Sequence, residues 1–96
     1  MHVATLTLDL LLGDVRSLKQ KRSAVRPLVA ELRRLEVAVA ETGHLDLHRR
    51  AEISAAVVAA DAGHCRAVLE RAERLVAAHP ERGPLSARIR FHGDDA

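Results

Sequence analysis

Two stretches of the chain concentrate side chains that can do chemistry. The first, RSLKQKRSAVRP at residues 16–27, is dense in Lys and Arg. On a helix turning about 100° per residue, Lys19, Arg22, Arg26 and Arg33 fall within one arc. Arg34 lies beside that arc, and Lys21 turns toward the edge of the apolar stripe. A phosphate backbone is met by several mobile cations on one exposed side, in contacts that are blind to base sequence and sensitive to salt. The competing reading is simpler: a helix packed on an open sheet needs a charged outer face, and these residues supply it.

The second stretch is ETGHLDLHRRAE, residues 41–52, with Glu41, His44, Asp46, His48, Arg50 and Glu52 close together. His44, Asp46 and His48 are N and O donors that a divalent cation accepts. Their spacing is not the HExxH of a zinc helix, so no metal site is assigned. A carboxylate beside an imidazole can move protons, but no nucleophile signature accompanies the pair, so no catalytic residue is assigned. In the structural alternative, Glu41 and Asp46 pair with Arg49 or Arg50 and fix a turn. A binding loop of Glu41, His44, Asp46, His48 and Arg50 is the third reading. Elsewhere, Cys65 falls on the apolar side of a helix, where it packs rather than reacts.

These groups need a frame. Residues 2–12 alternate, with Leu6, Leu8, Leu10 and Leu12 on one side and Thr5, Thr7 and Asp9 on the other, the period of a strand with one buried face. Ser17 and Gln20 fit a capping box opening a helix whose stripe holds Leu18, Val25, Val29 and Leu32, widened by Leu28 and Leu35. Pro27 lacks the N–H that would bond back to residue 23, so a kink or local break is expected there. Residues 36–42 read as a second strand. Residues 51–61 read as a third, on the strength of Ile53, Val57 and Val58. Asp61 caps a second helix carrying Cys65, Val68, Leu69, Ala72, Leu75 and Val76. Residues 85–91 alternate again: Leu85, Ala87, Ile89 and Phe91 against Ser86, Arg88 and Arg90.

The order is β-α-β-β-α-β. Crossover handedness then gives an α+β, ferredoxin-like split β-α-β fold: a four-stranded antiparallel sheet in order 4-1-3-2 with two helices on one face. One domain is expected over 1–92, with a flexible tail at 93–96. The expected core is Leu6, Leu8, Leu10, Val25, Val29, Leu32, Val68, Leu69, Leu75, Ile89 and Phe91.

Composition narrows the function. A formal charge of +2 argues little for a polyanion partner, so only a local cluster carries that case. Phe91 is the single aromatic residue. An RNA-reading sheet that stacks bases needs exposed aromatics, which this chain lacks; phosphate contact to duplex or folded RNA stays open. One cysteine forms no internal disulfide. No stretch approaches the roughly 20 apolar residues of a membrane span, and the first residues lack a charged leader, so a cytoplasmic protein is expected. No cofactor motif is present.

The motif SLKxKR, here Ser17, Leu18, Lys19, Lys21 and Arg22, is joined by VAExxxxDLxxRAE. In this chain the latter is Val39, Ala40, Glu41, Asp46, Leu47, Arg50, Ala51 and Glu52. With these, the chain from Val3 to Phe91 resembles the small bacterial family called domain of unknown function 503, or YlxP-like. Members usually carry Trp after the DL pair, where this chain has His48. The resemblance implies a ferredoxin-like fold and no established activity. It also implies gene neighbourhoods rich in translation-initiation and ribosome-maturation factors. The function expected is therefore a non-catalytic accessory factor contacting RNA or a ribosomal assembly through the basic helix. The alternative is a homodimer or other homo-oligomer formed through the open sheet face, with Arg88 and Arg90 near it and without nucleic acid. An enzyme is the least supported reading.

Overall fold

The computed structural model describes residues 1–78 and 82–93, with side chains described through 78 and from 86 to 93. The strand alternation of the first residues builds β1 (His2–Leu12), whose even-numbered residues from Ala4 to Leu12 are buried, Asp9 and its odd-numbered neighbours facing the other way. Burying each of these leucines contributes about 1.5–3 kcal/mol. β3 (Arg50–Ala59) buries Ala51, Ile53, Ala55 and Val57 on the same side. β2 (Ala38–Gly43) and β4 (Arg82–His92) complete one antiparallel sheet in the order β2-β3-β1-β4. Read from the other edge, this is the expected 4-1-3-2.

Two helices cover one face. In α1 (Leu18–Arg33) the backbone of Ser17 is extended, and its Oγ accepts from Gln20 N at 3.1 Å. Gln20 Oε1 reaches back to Arg16 N at 2.7 Å, one residue before the expected box partner. The helix runs through Pro27 without the expected break. Ser23 and Pro27 are both exposed, so the carbonyl deprived of its amide faces water rather than the core. α2 (Ala62–Ala77) opens on Asp61, whose Oδ1 accepts from Gly63 N at 3.0 Å, and buries Cys65, Val68, Leu69, Ala72 and Val76. Among the described residues no helix is long and apolar enough to cross a membrane.

Several expectations need adjusting. β2 starts at Ala38 because Glu36 takes a left-handed conformation, φ 62°, that ends the turn out of α1. Val29, Leu75 and Ile89 are only partly buried against the core. Phe91 is 40 % exposed and is not part of it. Its face is the expected one, since it lies opposite Ala4, but β4 is an edge strand and no described strand flanks its outer side. Leu28, which lies outside the expected core, is fully buried. The side chain of Leu85 and the expected tail beyond Gly93 lie outside the described residues.

Candidate functional site

α1 sorts its residues sharply. Lys21, Val25, Leu28 and Leu32 recur at helical spacing and form the buried stripe. Lys19, Arg22, Arg26 and Arg33 all lie exposed on one arc beside it. Among the described residues, the side chains of Lys19, Arg22 and Arg26 make no ion pair or hydrogen bond. Arg33 is partly engaged: its Nη2 donates to Val39 O at 3.5 Å, on β2. The expected row therefore exists, with three uncommitted cations and one resting against the edge of the sheet.

Lys21 behaves differently from its basic neighbours. It is 3 % exposed, and its ammonium donates two hydrogen bonds and makes one ion pair. The hydrogen bonds go to His44 O and Leu47 O, both at 2.7 Å, and the ion pair is with Glu41 Oε2, also at 2.7 Å. The Glu41 oxygen is itself buried and accepts no hydrogen bond among the described residues, so Lys21 meets it through charge alone. Lys21 thus ties α1 to β2 and to the connection between β2 and β3. The sequence signal for this was present: residue 21 stands four before Val25 and seven before Leu28, inside the buried stripe.

The same connection is held from the opposite face of the sheet. His44 adopts φ 55°, and its carbonyl also accepts from Leu47 N at 3.0 Å, closing a turn. Its imidazole Nε2 lies 3.3 Å from Asp9 Oδ1. Arg50 grips Asp9 in a two-pronged contact, Nε to Oδ1 at 3.2 Å and Nη2 to Oδ2 at 2.6 Å. That hydrogen bonding from Arg50 holds the Asp9 carboxyl below its ordinary range; partial burial opposes the shift, and the nearby charges of Arg50 and His44 add to it. The pairing expected within the turn is therefore corrected. Glu41 pairs with Lys21 and Arg50 with Asp9, because strand register brings residues 9 and 50 together across the open face.

Beside this cluster, Thr42 Oγ1 donates to Glu52 Oε1 at 2.7 Å and lies 2.7 Å from Ser54 Oγ. Glu52 folds against Gly43, where an added Cβ would come within 2.9 Å of Oε1, so the strand irregularity there favours glycine. Asp46 and His48 are exposed and make no polar side-chain contact with described residues. Among the described residues no three His, Cys, Asp or Glu side chains gather to hold a metal ion. Cys65 is buried, its Sγ 3.7 Å from His2 O, in a packing position. Glu41, His44 and Arg50 are committed to holding one loop.

The family model described as Protein of unknown function (DUF503) matches residues 3–89, and the chain belongs to that family. Comparison with curated proteins found no match.

Proposed function

We propose that this DUF503 protein is a cytoplasmic, non-catalytic accessory factor that contacts RNA, free or within a ribosomal assembly, through the outer face of α1. One observation carries the reading: Lys19, Arg22 and Arg26 are exposed, aligned and without an acidic partner among the described residues. Cations kept only for solubility are commonly interspersed with acids. An array of one sign is suited to displacing counterions from a phosphate backbone. The apolar stripe of α1 is already committed to the sheet, so these side chains can reach phosphates without disturbing the core. With one aromatic residue, and that on the helix-covered side of β4, the chain is better suited to structured RNA than to stacking single strands.

Binding of the wild type and of Lys19→Gln/Arg22→Gln/Arg26→Gln to total ribosomal RNA across a salt series tests this. The expected result is an intact fold, weaker binding and a log–log salt slope smaller by roughly one unit per lost phosphate contact. No binding by the wild type at low salt, or an unchanged slope in the variant, removes the proposal.

A second reading is supported by the open face of the sheet. Thr5, Ala38, Ala40, Ser54 and Ala56 line a shallow, mainly apolar hollow there, and Val58 is 61 % exposed beside it. A second copy packed on this face would form a homodimer. Sedimentation over a wide concentration range decides it: a monomer throughout rejects this association.

A further inference from the structure

We infer that the outer edge of β4 docks an extended segment of a partner protein, alternately acidic and apolar, as a fifth strand. The sheet order leaves β4 terminal, with β1 on its inner side only. A row of unpaired backbone groups is a template for a further strand. Residues 86–92 offer such a row, and each face of this edge carries a different chemistry.

Register assigns the faces. Arg88 lies opposite Thr7 and Arg90 opposite Thr5, which puts both arginines on the open face. Both are exposed, and neither has an ion-pair partner among the described residues. Ile89 lies opposite Leu6 and Phe91 opposite Ala4, which puts both on the helix-covered face. Ile89 is half-buried, and Phe91 is 40 % exposed under the Arg66 guanidinium, 5.0 Å from its ring centre. Same-face residues of a strand stand about 6.8 Å apart, and a paired strand repeats that spacing. An incoming segment therefore meets cations with one set of alternate side chains and incompletely covered apolar surface with the other. Acid at one position and an apolar residue at the next satisfies both.

Other occupants fit less well. A second copy paired antiparallel about Ile89 sets Arg88 of one copy against Arg90 of the other, and like charges directly opposite are destabilising. RNA phosphates would use the arginines but not the backbone edge or the apolar row. The opposite edge, β2, has six residues and is partly guarded by Arg33 on the Val39 carbonyl. This docking edge is separate from the cationic face of α1 and stands or falls independently of it.

The test uses the full chain and a fluorescein-labelled peptide of alternating Glu and Val, matched in length to residues 86–92, read by anisotropy at low salt. Controls are a peptide of the same composition with Glu and Val in blocks, and an alternating Lys and Val peptide. The alternating Glu peptide should bind and the block peptide should not. Arg88→Glu/Arg90→Glu should weaken binding about tenfold and create binding to the Lys peptide. Phe91→Ala should weaken binding as well, whereas Lys19→Gln/Arg22→Gln/Arg26→Gln should leave it unchanged. Amide exchange should slow at 86–92 when the peptide is present. If the charge-reversed chain fails to fold by circular dichroism, Arg88→Gln/Arg90→Gln replaces it, with weakened binding expected. The inference is overturned by absence of peptide binding at millimolar concentration, by equal binding of the block peptide, or by protection at β2 instead. It is equally overturned if protection of β4 grows with protein concentration alone, the sign of a second copy, or if an oligouridylate protects β4 in the peptide's place.

Discussion

Lys21 Nζ and Glu41 Oε2 lie 2.7 Å apart between α1 and β2, with the lysine side chain 4 % exposed and the glutamate 27 %. Two of the ammonium protons go to His44 O and Leu47 O. A buried charge is tolerated when it is paired and hydrogen-bonded, and this lysine meets both conditions. It therefore positions a loop as well as neutralising an acid.

Lys21→Met keeps the methylene stem and removes the ammonium. Two carbonyls then lose their donor and a partly buried carboxylate its counter-charge, at a cost of about 2–4 kcal/mol. Adding Glu41→Gln should restore about 1 kcal/mol by removing the stranded charge. Urea unfolding of the single and double variants measures both, and amide exchange over 44–49 should accelerate. A single variant within about 0.5 kcal/mol of the wild type would show that Lys21 is dispensable.

The parts of the fold that were legible from sequence are those where periodicity is strong. Leu6, Leu8, Leu10 and Leu12 alternate with other residues, and all four are buried. The row of Lys19, Arg22 and Arg26 was legible because helical spacing alone aligns it. For Lys21 the same spacing marks the place in the buried stripe but not the partners, because two of the three are backbone carbonyls, which leave no mark in side-chain pattern. Arg50 and Asp9 are forty-one residues apart in sequence, and only the β1–β3 register brings them together. Phe91 shows a related gap: alternation assigns a face correctly but does not tell an edge strand from a central one.

Pro27 sits within a continuous α1, exposed, and denies Ser23 O its helical donor. Pro27→Ala restores that donor and a residue of high helix propensity, a gain of up to about 3 kcal/mol. Proline also restricts the unfolded chain, which returns about 0.4–1 kcal/mol. Net stabilisation of about 1–2 kcal/mol is expected from thermal and urea unfolding. A destabilised variant would mean that Pro27 supports a local geometry that alanine cannot.

Leu28 and Phe91 reverse the ranking that size suggests. Leu28 is fully buried, so Leu28→Ala should cost about 2–5 kcal/mol. Phe91 is 40 % exposed on an edge strand, so Phe91→Ala should cost nearer to about 1 kcal/mol. Parallel urea titrations decide the order, and an equal or larger loss for Phe91→Ala contradicts the placement of β4.

Asp9 gives a stability contribution with a defined pH window. Arg50's hydrogen bonds, opposed by partial burial and reinforced by the charges of Arg50 and His44, lower its folded pKa below the ordinary carboxylate value of about 3.9. Above that value the carboxylate is ionised in both states, and its contact with Arg50 contributes in full. As pH falls further, the unfolded chain takes up the proton first while the folded chain resists, so the contribution shrinks and ends below the folded pKa. Asp9→Asn should therefore lower Tm at neutral pH, by the equivalent of about 1 kcal/mol for a partly exposed pair. That gap should hold down to about pH 5 and close as pH falls through the acidic range. Glu52, opposite Asp9 in register, and the other carboxylates titrate in both proteins and cancel to first order in the difference. Placing Arg50→Met in both the wild type and the Asp9→Asn variant should shrink the pH-dependent gap between them, since the largest cause of the lowered pKa is then gone while His44 remains. A Tm difference that stays constant from neutral pH to the acid limit would mean that Asp9 acts through packing rather than through its charge.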